Sequence, residues 1–115
     1  MTIRIYHNPG CSKSRQTLRL IQGAGIEPEI VEYLDRPPTA KELDALLKSL
    51  GMEPQDLMRK GEALYNELGL RNRELTRTEA ITILVENPKL IERPIVVKGS
   101  RAVIGRPPEN VNTLL

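Results

Sequence analysis

The hydrophobic pattern at the start of the chain predicts a strand and a helix joined by a tight turn. Apolar and polar residues alternate in Thr2-Ile3-Arg4-Ile5-Tyr6, which is the period of a half-buried strand. Asn8-Pro9-Gly10 then has the composition of a turn. We predict a helix directly after it, with Ser12 or Ser14 as the N-cap and Gly23 at its end.

The next segments predict a second strand and a helical insertion. Ile30-Val31-Glu32-Tyr33-Leu34 is the predicted second strand, and its short connections are typical of a parallel βαβ unit. Thr39-Ala40-Lys41-Glu42 and Thr76-Arg77-Thr78-Glu79 both have the Thr-x-x-Glu form of a capping box, which begins a helix. Gly51 is placed to end the first of these helices. We therefore predict helices and no strand from about 39 to 91.

Strands return near the end of the chain. Ile95-Val96-Val97-Lys98 and Ala102-Val103-Ile104, joined through Gly99-Ser100, predict an antiparallel hairpin. Pro107-Pro108 then opens a short last helix. A βαβ unit followed by a β-hairpin and a terminal helix is the layout of the thioredoxin fold. We predict an α/β, thioredoxin-like fold with a mixed sheet, as one domain over 1–115 that contains the helical insertion.

Composition narrows the chemistry to a single thiol. Among 115 residues there are one Cys, Cys11, and one His, His7, which excludes an internal disulfide and metal sites built from several thiolates or histidines. Seventeen basic and fifteen acidic residues of alternating sign, with three scattered Tyr, argue against nucleic acid. No apolar run approaches the length of a membrane span. The lone Cys favours the reducing cytoplasm, and we expect a monomer with no tightly bound cofactor.

The placement of Cys11 favours a reactive thiolate. It lies between the first strand and the first helix, where unpaired backbone N–H groups and the helix dipole favour an anion. Lys13 and Arg15 add positive charge within one turn, and His7 lies on the same connection. A lone Cys is often only a small buried hydrophobe, but this placement predicts a thiol pKa below the ordinary value of about 8.5.

The residues around Cys11 limit the class of thiol chemistry. Ser14 occupies the fourth position of a Cys-x-x-Cys motif, so no internal thiol can resolve a disulfide with Cys11. Thr17 stands where a Cys-x5-Arg phosphatase loop needs arginine. Any disulfide of Cys11 is therefore intermolecular.

Three arginines, Arg59, Arg93 and Arg106, stand at the ends of predicted elements. Guanidinium groups suit tetrahedral oxyanions because they donate two N–H bonds to paired oxygens. In this fold the residues entering the third strand pack beside the turn that carries the thiol. We therefore expect Arg93 near Cys11, with a cis peptide bond to Pro94. Each arginine taken alone is also compatible with a solvated end of a helix or strand.

Together these residues resemble the glutaredoxin-coupled arsenate reductase family. The resemblance covers essentially the whole chain, and the last motif resembles a short, less characterised branch of the family. Four motifs, in the family's order, carry it: His7-Asn8-Pro9-x-Cys11-x-x-Ser14-Arg15, Arg59-Lys60, Glu92-Arg93-Pro94-Ile95-Val96-Val97 and Gly105-Arg106-Pro107-Pro108-Glu109.

The resemblance implies a mechanism. Cys11 would attack arsenate, while His7 and the helix start keep the sulfur ionised and Ser14 donates a hydrogen bond to the thiolate. Glutathione would be the co-substrate that supplies the second thiol, and glutaredoxin would reduce the adduct so that arsenite is released. Three arginines would bind the substrate: Arg59, Arg93 and Arg106.

Two other interpretations stay open. A monothiol oxidoreductase acting on glutathione mixed disulfides would need Cys11 but no oxyanion. A non-catalytic transcription regulator that binds RNA polymerase through the same fold is also similar across the whole chain. Its redox switch is associated with Cys-x-x-Cys, which Ser14 interrupts.

Overall fold

A computed structural model describes residues 2–115, which form two compact units. The first, here called the sheet unit, runs to Arg36 and resumes over Arg93–Leu115. The second, the helical unit, is Pro37–Glu92.

The sheet unit contains a mixed four-stranded sheet, as predicted. The strands are β1 Ile3–Tyr6, β2 Glu29–Val31, β3 Ile95–Lys98 and β4 Arg101–Ile104. Strand β1 pairs with β2 in parallel and with β3 in antiparallel orientation, and β4 pairs with β3 in antiparallel orientation, giving the order β2-β1-β3-β4. The antiparallel hairpin and the thioredoxin-like layout are thereby confirmed.

Two helices pack on this sheet through one apolar cluster. Helix α1 spans Ser12–Gly23, and a 3₁₀ helix, here called the C-terminal helix, spans Pro108–Leu114. Burial of each aliphatic side chain in such a cluster is worth about 1.5–3 kcal/mol, so this packing holds α1 against the sheet. The buried members of the cluster are Ile3, Ile5, Ile21, Val96, Val111 and Leu114.

The helical unit confirms both predicted capping boxes. The Thr39 side chain accepts a hydrogen bond from the backbone N–H of Glu42 before α2, Ala40–Leu50. Thr76 caps α4, Arg77–Glu86, in the same way. Gly51 ends α2 in the left-handed conformation, with φ 67°. The remaining helices are α3, Ala63–Glu67, and 3₁₀ helices over Pro54–Leu57, Leu70–Asn72 and Pro88–Leu90. Within 37–92 there is no strand, only an isolated bridge between Met58 and Ile91.

The predicted second strand is wrong in its extent. It begins at Glu29 and ends at Val31, so Tyr33 and Leu34 lie outside it. The chain turns there because the backbone N–H groups of Asp35 and Arg36 both donate to the Glu32 carbonyl. Tyr33 is nevertheless fully buried.

Candidate active site

Three connections between elements lie at the same end of the sheet, where β1 and β4 end and β3 begins. The strand register sets the end of β1 beside the start of β3 and the end of β4. The turn with Cys11 follows β1, Arg93 and Pro94 precede β3, and Arg106 follows β4. Sequence positions more than 80 residues apart are thus brought together by the register of three adjacent strands.

Cys11 is the N-cap of α1, so the predicted caps Ser12 and Ser14 are wrong. Its carbonyl already accepts the first helical hydrogen bond, from the backbone N–H of Arg15 at 3.0 Å. Ser12 is therefore the first helical residue. Cys11 is largely buried, at 9% exposure, with its backbone in the extended conformation. This position aims the unpaired N–H groups of the first turn at the sulfur.

The environment of the sulfur favours the thiolate. Burial by itself raises the pKa of the Cys11 thiol. Hydrogen bonds from the Ser14 backbone, the Arg93 side chain and the Lys13 backbone lower that pKa. The charge of Arg106 lowers it further, and the pKa of Cys11 lies below its ordinary value. This agrees with the direction predicted from the sequence.

Arg93 and Arg106 both reach Cys11. The Arg106 Nη2 lies 3.5 Å from the Cys11 sulfur, while its Nε donates to the backbone carbonyl of Arg93 at 2.8 Å. The expected nearness of Arg93 to Cys11 and the expected cis Arg93–Pro94 bond are both confirmed. The Arg106–Pro107 bond is also cis, which we did not predict. Two cations thus stand beside one thiol in the sheet unit.

Ser14 and His7 form a buried pair instead of contacting the sulfur with their side chains as predicted. The Ser14 Oγ lies 2.6 Å from the His7 Nδ1 and accepts a hydrogen bond from the Asn8 backbone at 3.0 Å. Ser14 acts on the thiol of Cys11 through its backbone N–H. Burial lowers the pKa of His7, so its imidazole is neutral near pH 7 and adds no positive charge beside a thiolate.

Arg59 lies in the helical unit. Its backbone N–H donates to the Leu90 carbonyl at 2.7 Å, which fixes it just after the isolated bridge. Its Nε is 3.5 Å from a Glu92 carboxylate oxygen and its Nη1 is 3.7 Å from a Glu62 carboxylate oxygen. The Nη1 is buried and has no hydrogen-bond partner among the residues that the structure describes. The role of Arg59 as a substrate-binding residue stays a prediction.

Gly105 is a feature of the site that the sequence analysis missed. It is buried between Thr17 of α1 and Pro94, the residue before β3, and a Cβ added there would overlap the Thr17 side chain and the ring of Pro94. Its backbone N–H donates to the Pro94 carbonyl at 2.9 Å. A glycine directly before the Arg106 motif was the available signal, since close backbone approach requires a residue without a Cβ.

Two further features are absent from residues 2–115. No group of three or more metal-ligating side chains occurs among them. None of their helices is both long and apolar enough to cross a membrane.

Comparison with known proteins gives one family and close relatives. The ArsC family matches residues 6–114. "Uncharacterized protein YfgD" of Escherichia coli (strain K12) is 54% identical over 110 residues, covering 95% of this chain and 92% of that protein. "Arsenate reductase" of Haemophilus influenzae is 45% identical over 116 residues and both chains are covered completely. The solved structure "Arsenate reductase from Vibrio cholerae" has a TM-score of 0.96 at 46% identity, covering 100% of this chain and 98% of that one.

Proposed function

The chain belongs to the ArsC family, and from that premise we propose that it reduces arsenate to arsenite with Cys11 as the nucleophile. The observation that carries the proposal is a thiol at a helix N-terminus with Arg93 and Arg106 against its sulfur. The relatives from Haemophilus influenzae and Vibrio cholerae, whose names are arsenate reductase, support the same substrate.

The first step uses the thiolate of Cys11. The sulfur forms a bond to arsenic and displaces one hydroxyl group, which leaves as water after it takes a proton. The lowered pKa of Cys11 supports this step, because the thiolate and not the thiol is the nucleophile.

Binding of the oxyanion is assigned to the arginines. Arg93 and Arg106 present N–H donors beside the sulfur, where the oxygens of a tetrahedral anion and the charge developing on them would lie. Guanidinium groups are suited to this because they remain charged and donate in pairs. We assign Arg59 to the same anion, on the family motif alone.

The electrons come from two thiols outside the chain. We propose that glutathione displaces a second hydroxyl of the adduct as water and forms a sulfur–arsenic bond. A glutaredoxin thiol then attacks the glutathione sulfur, so that a mixed disulfide forms and the electron pair of the broken bond reduces As(V) to As(III). Water hydrolyses the bond from arsenic to Cys11 and releases arsenite. The single cysteine of the chain supports an external second thiol.

Arsenite production from arsenate, with glutathione, glutaredoxin and a coupled reductase, tests the proposal. We expect turnover in the native protein, none in Cys11→Ser, and losses of at least about tenfold, or ~1.4 kcal/mol, in Arg93→Ala and Arg106→Ala. Arg19→Ala, which removes an exposed arginine of α1, is the matched control and should retain turnover. Unchanged turnover in both site arginine variants contradicts the proposal.

A second candidate is a monothiol oxidoreductase acting on glutathione mixed disulfides. The activated thiol of Cys11 favours it, because such exchange also begins with a thiolate. It differs in needing no oxyanion. Reduction of a glutathione mixed disulfide by a protein that leaves arsenate unchanged would select this candidate.

A further inference from the structure

Asn110 lies in the C-terminal helix and its side chain bridges the two ends of a short loop. Its Nδ2 donates to the Ile104 carbonyl at 3.2 Å and to the Arg106 carbonyl at 3.0 Å. We propose that Asn110 is a positioning residue, whose amide holds the Ile104–Arg106 loop and thereby sets the Arg106 guanidinium against the sulfur of Cys11. The consequence for substrate binding rests on the function proposed above.

The loop that Asn110 holds is also restrained from its other side, where the Thr17 hydroxyl donates to the Gly105 carbonyl at 3.5 Å. It leaves β4, which is an edge strand paired only with β3. One backbone bond, from Gly105 N–H to the Pro94 carbonyl, ties its middle to the residue that precedes β3. The two hydrogens of the Asn110 amide meet the carbonyls on either side of that tie. The amide thus restrains the loop on the side facing the C-terminal helix.

Asn110 is itself fixed where it stands. Its backbone N–H donates to the Pro107 carbonyl at 3.0 Å, and its carbonyl accepts from the Thr113 hydroxyl at 3.0 Å. The next residue, Val111, is fully buried in the apolar cluster of the sheet unit. The amide is therefore presented from a helix that is anchored to the core.

The position of the Arg106 side chain depends on this loop. Its Nε bond to the Arg93 carbonyl and its Nη2 contact to Cys11 are both made by a side chain that starts from the loop. The 3.5 Å contact to sulfur lengthens readily if the loop shifts, and the attraction between a cation and a thiolate falls with distance. A misplacement of about 1 Å is enough to impair positioning of this kind.

The test measures alkylation of Cys11 against pH, together with KM and kcat for arsenate. In Asn110→Ala we expect the alkylation midpoint to rise toward that of Arg106→Ala, because the guanidinium no longer stays beside the sulfur. We expect KM for arsenate to rise several-fold. In an Arg106→Ala background the same substitution should add no further shift. Asn110→Ser, which is too short to span both carbonyls, should repeat the effect.

Asn112→Ala is the matched control, because this exposed asparagine lies two residues later in the same helix. It should have the alkylation midpoint of the native protein. An unchanged midpoint in Asn110→Ala, or an equal shift with and without Arg106, overturns the proposal. Alkylation needs no arsenate, so a coupled shift in a protein without arsenate turnover would reject the proposed function and leave the positioning role intact.

Discussion

The thiol of Cys11 ionises more easily than that of an ordinary cysteine, because hydrogen-bond donors stabilise the thiolate by more than burial destabilises it. Burial penalises the thiolate, but hydrogen bonds from the Ser14 backbone and the Arg93 side chain stabilise it and lower the pKa. The unfolded chain therefore binds more protons than the folded one between the two pKa values of this group. Its contribution to stability is present above the unfolded pKa and is lost as pH falls through the folded pKa.

We predict that the buried imidazole of His7 has a lowered pKa. Burial lowers its pKa, and the nearby charge of Glu32 opposes that effect only in part. We expect His7 in the folded protein to titrate with a pKa below the ordinary value of about 6.5. The free energy of unfolding should decrease as pH falls below that value, because the unfolded chain then binds a proton that the folded chain does not. His7 is the only histidine, so one imidazole signal in an NMR titration reports it.

The control for this titration is the same protein in concentrated urea, where the signal should return to the ordinary midpoint. Ser14→Ala removes the hydroxyl beside Nδ1 but leaves the ring buried, so its midpoint should also stay below the ordinary value. A folded midpoint at or above the unfolded one would falsify the assignment of a neutral His7 at pH 7.

At the scale of elements, Gly105 sets how closely α1 approaches the connection after β4. A methyl group there would press against Thr17 of α1 and against the ring of Pro94. We expect Gly105→Ala to lower the free energy of unfolding by about 1–3 kcal/mol, as overpacking does. Urea denaturation measures it.

Gly23→Ala is the control for that substitution. Gly23 is the last residue of α1, and a Cβ there meets no atom within 4 Å. Alanine should therefore be neutral or stabilise by about 0.4–1 kcal/mol. Equal effects of the two substitutions would mean that the space at Gly105 is not limiting.

The elements with local signals were predicted well. The capping boxes at Thr39 and Thr76 lie within four consecutive residues each, so the sequence alone indicates where α2 and α4 begin. The end of β2 was predicted wrongly because Tyr33 and Leu34 continue a short apolar run that favours a strand, whereas the turn is closed by backbone bonds to the Glu32 carbonyl.

In the site, too, features that follow from the order of elements were predicted, and features that depend on the folded backbone were not. The place of Cys11 and its neighbour Arg93 followed from the order of elements, and the structure confirms both. The partner of the Ser14 hydroxyl and the amide bridge from Asn110 were missed. Each depends on the side-chain direction set by a folded turn, which hydrophobic spacing does not encode.

At the scale of the whole molecule, the proposed function predicts stabilisation by the substrate anion. A ligand that binds only the folded chain adds about 2.7 kcal/mol at a concentration of 100 Kd, which corresponds to a rise in Tm on the order of 10 °C. Cys11→Ser is the protein to use, because it keeps Arg93 and Arg106 but lacks the thiol that would react with arsenate. We expect the rise in Tm there and its loss when Arg106→Ala is added.

Arg59→Ala in the same Cys11→Ser background tests the proposed assignment of Arg59 to the anion. The substitution removes a cation from beside Glu62 and Glu92, so the Tm without arsenate should fall by itself. The informative quantity is therefore the rise caused by arsenate in each variant, with Arg71→Ala as the exposed control. We expect a smaller rise in Arg59→Ala than in the control, because the anion loses one pair of donors. An equal rise would restrict the anion site to Arg93 and Arg106, and Arg59 would then serve to neutralise its two carboxylates.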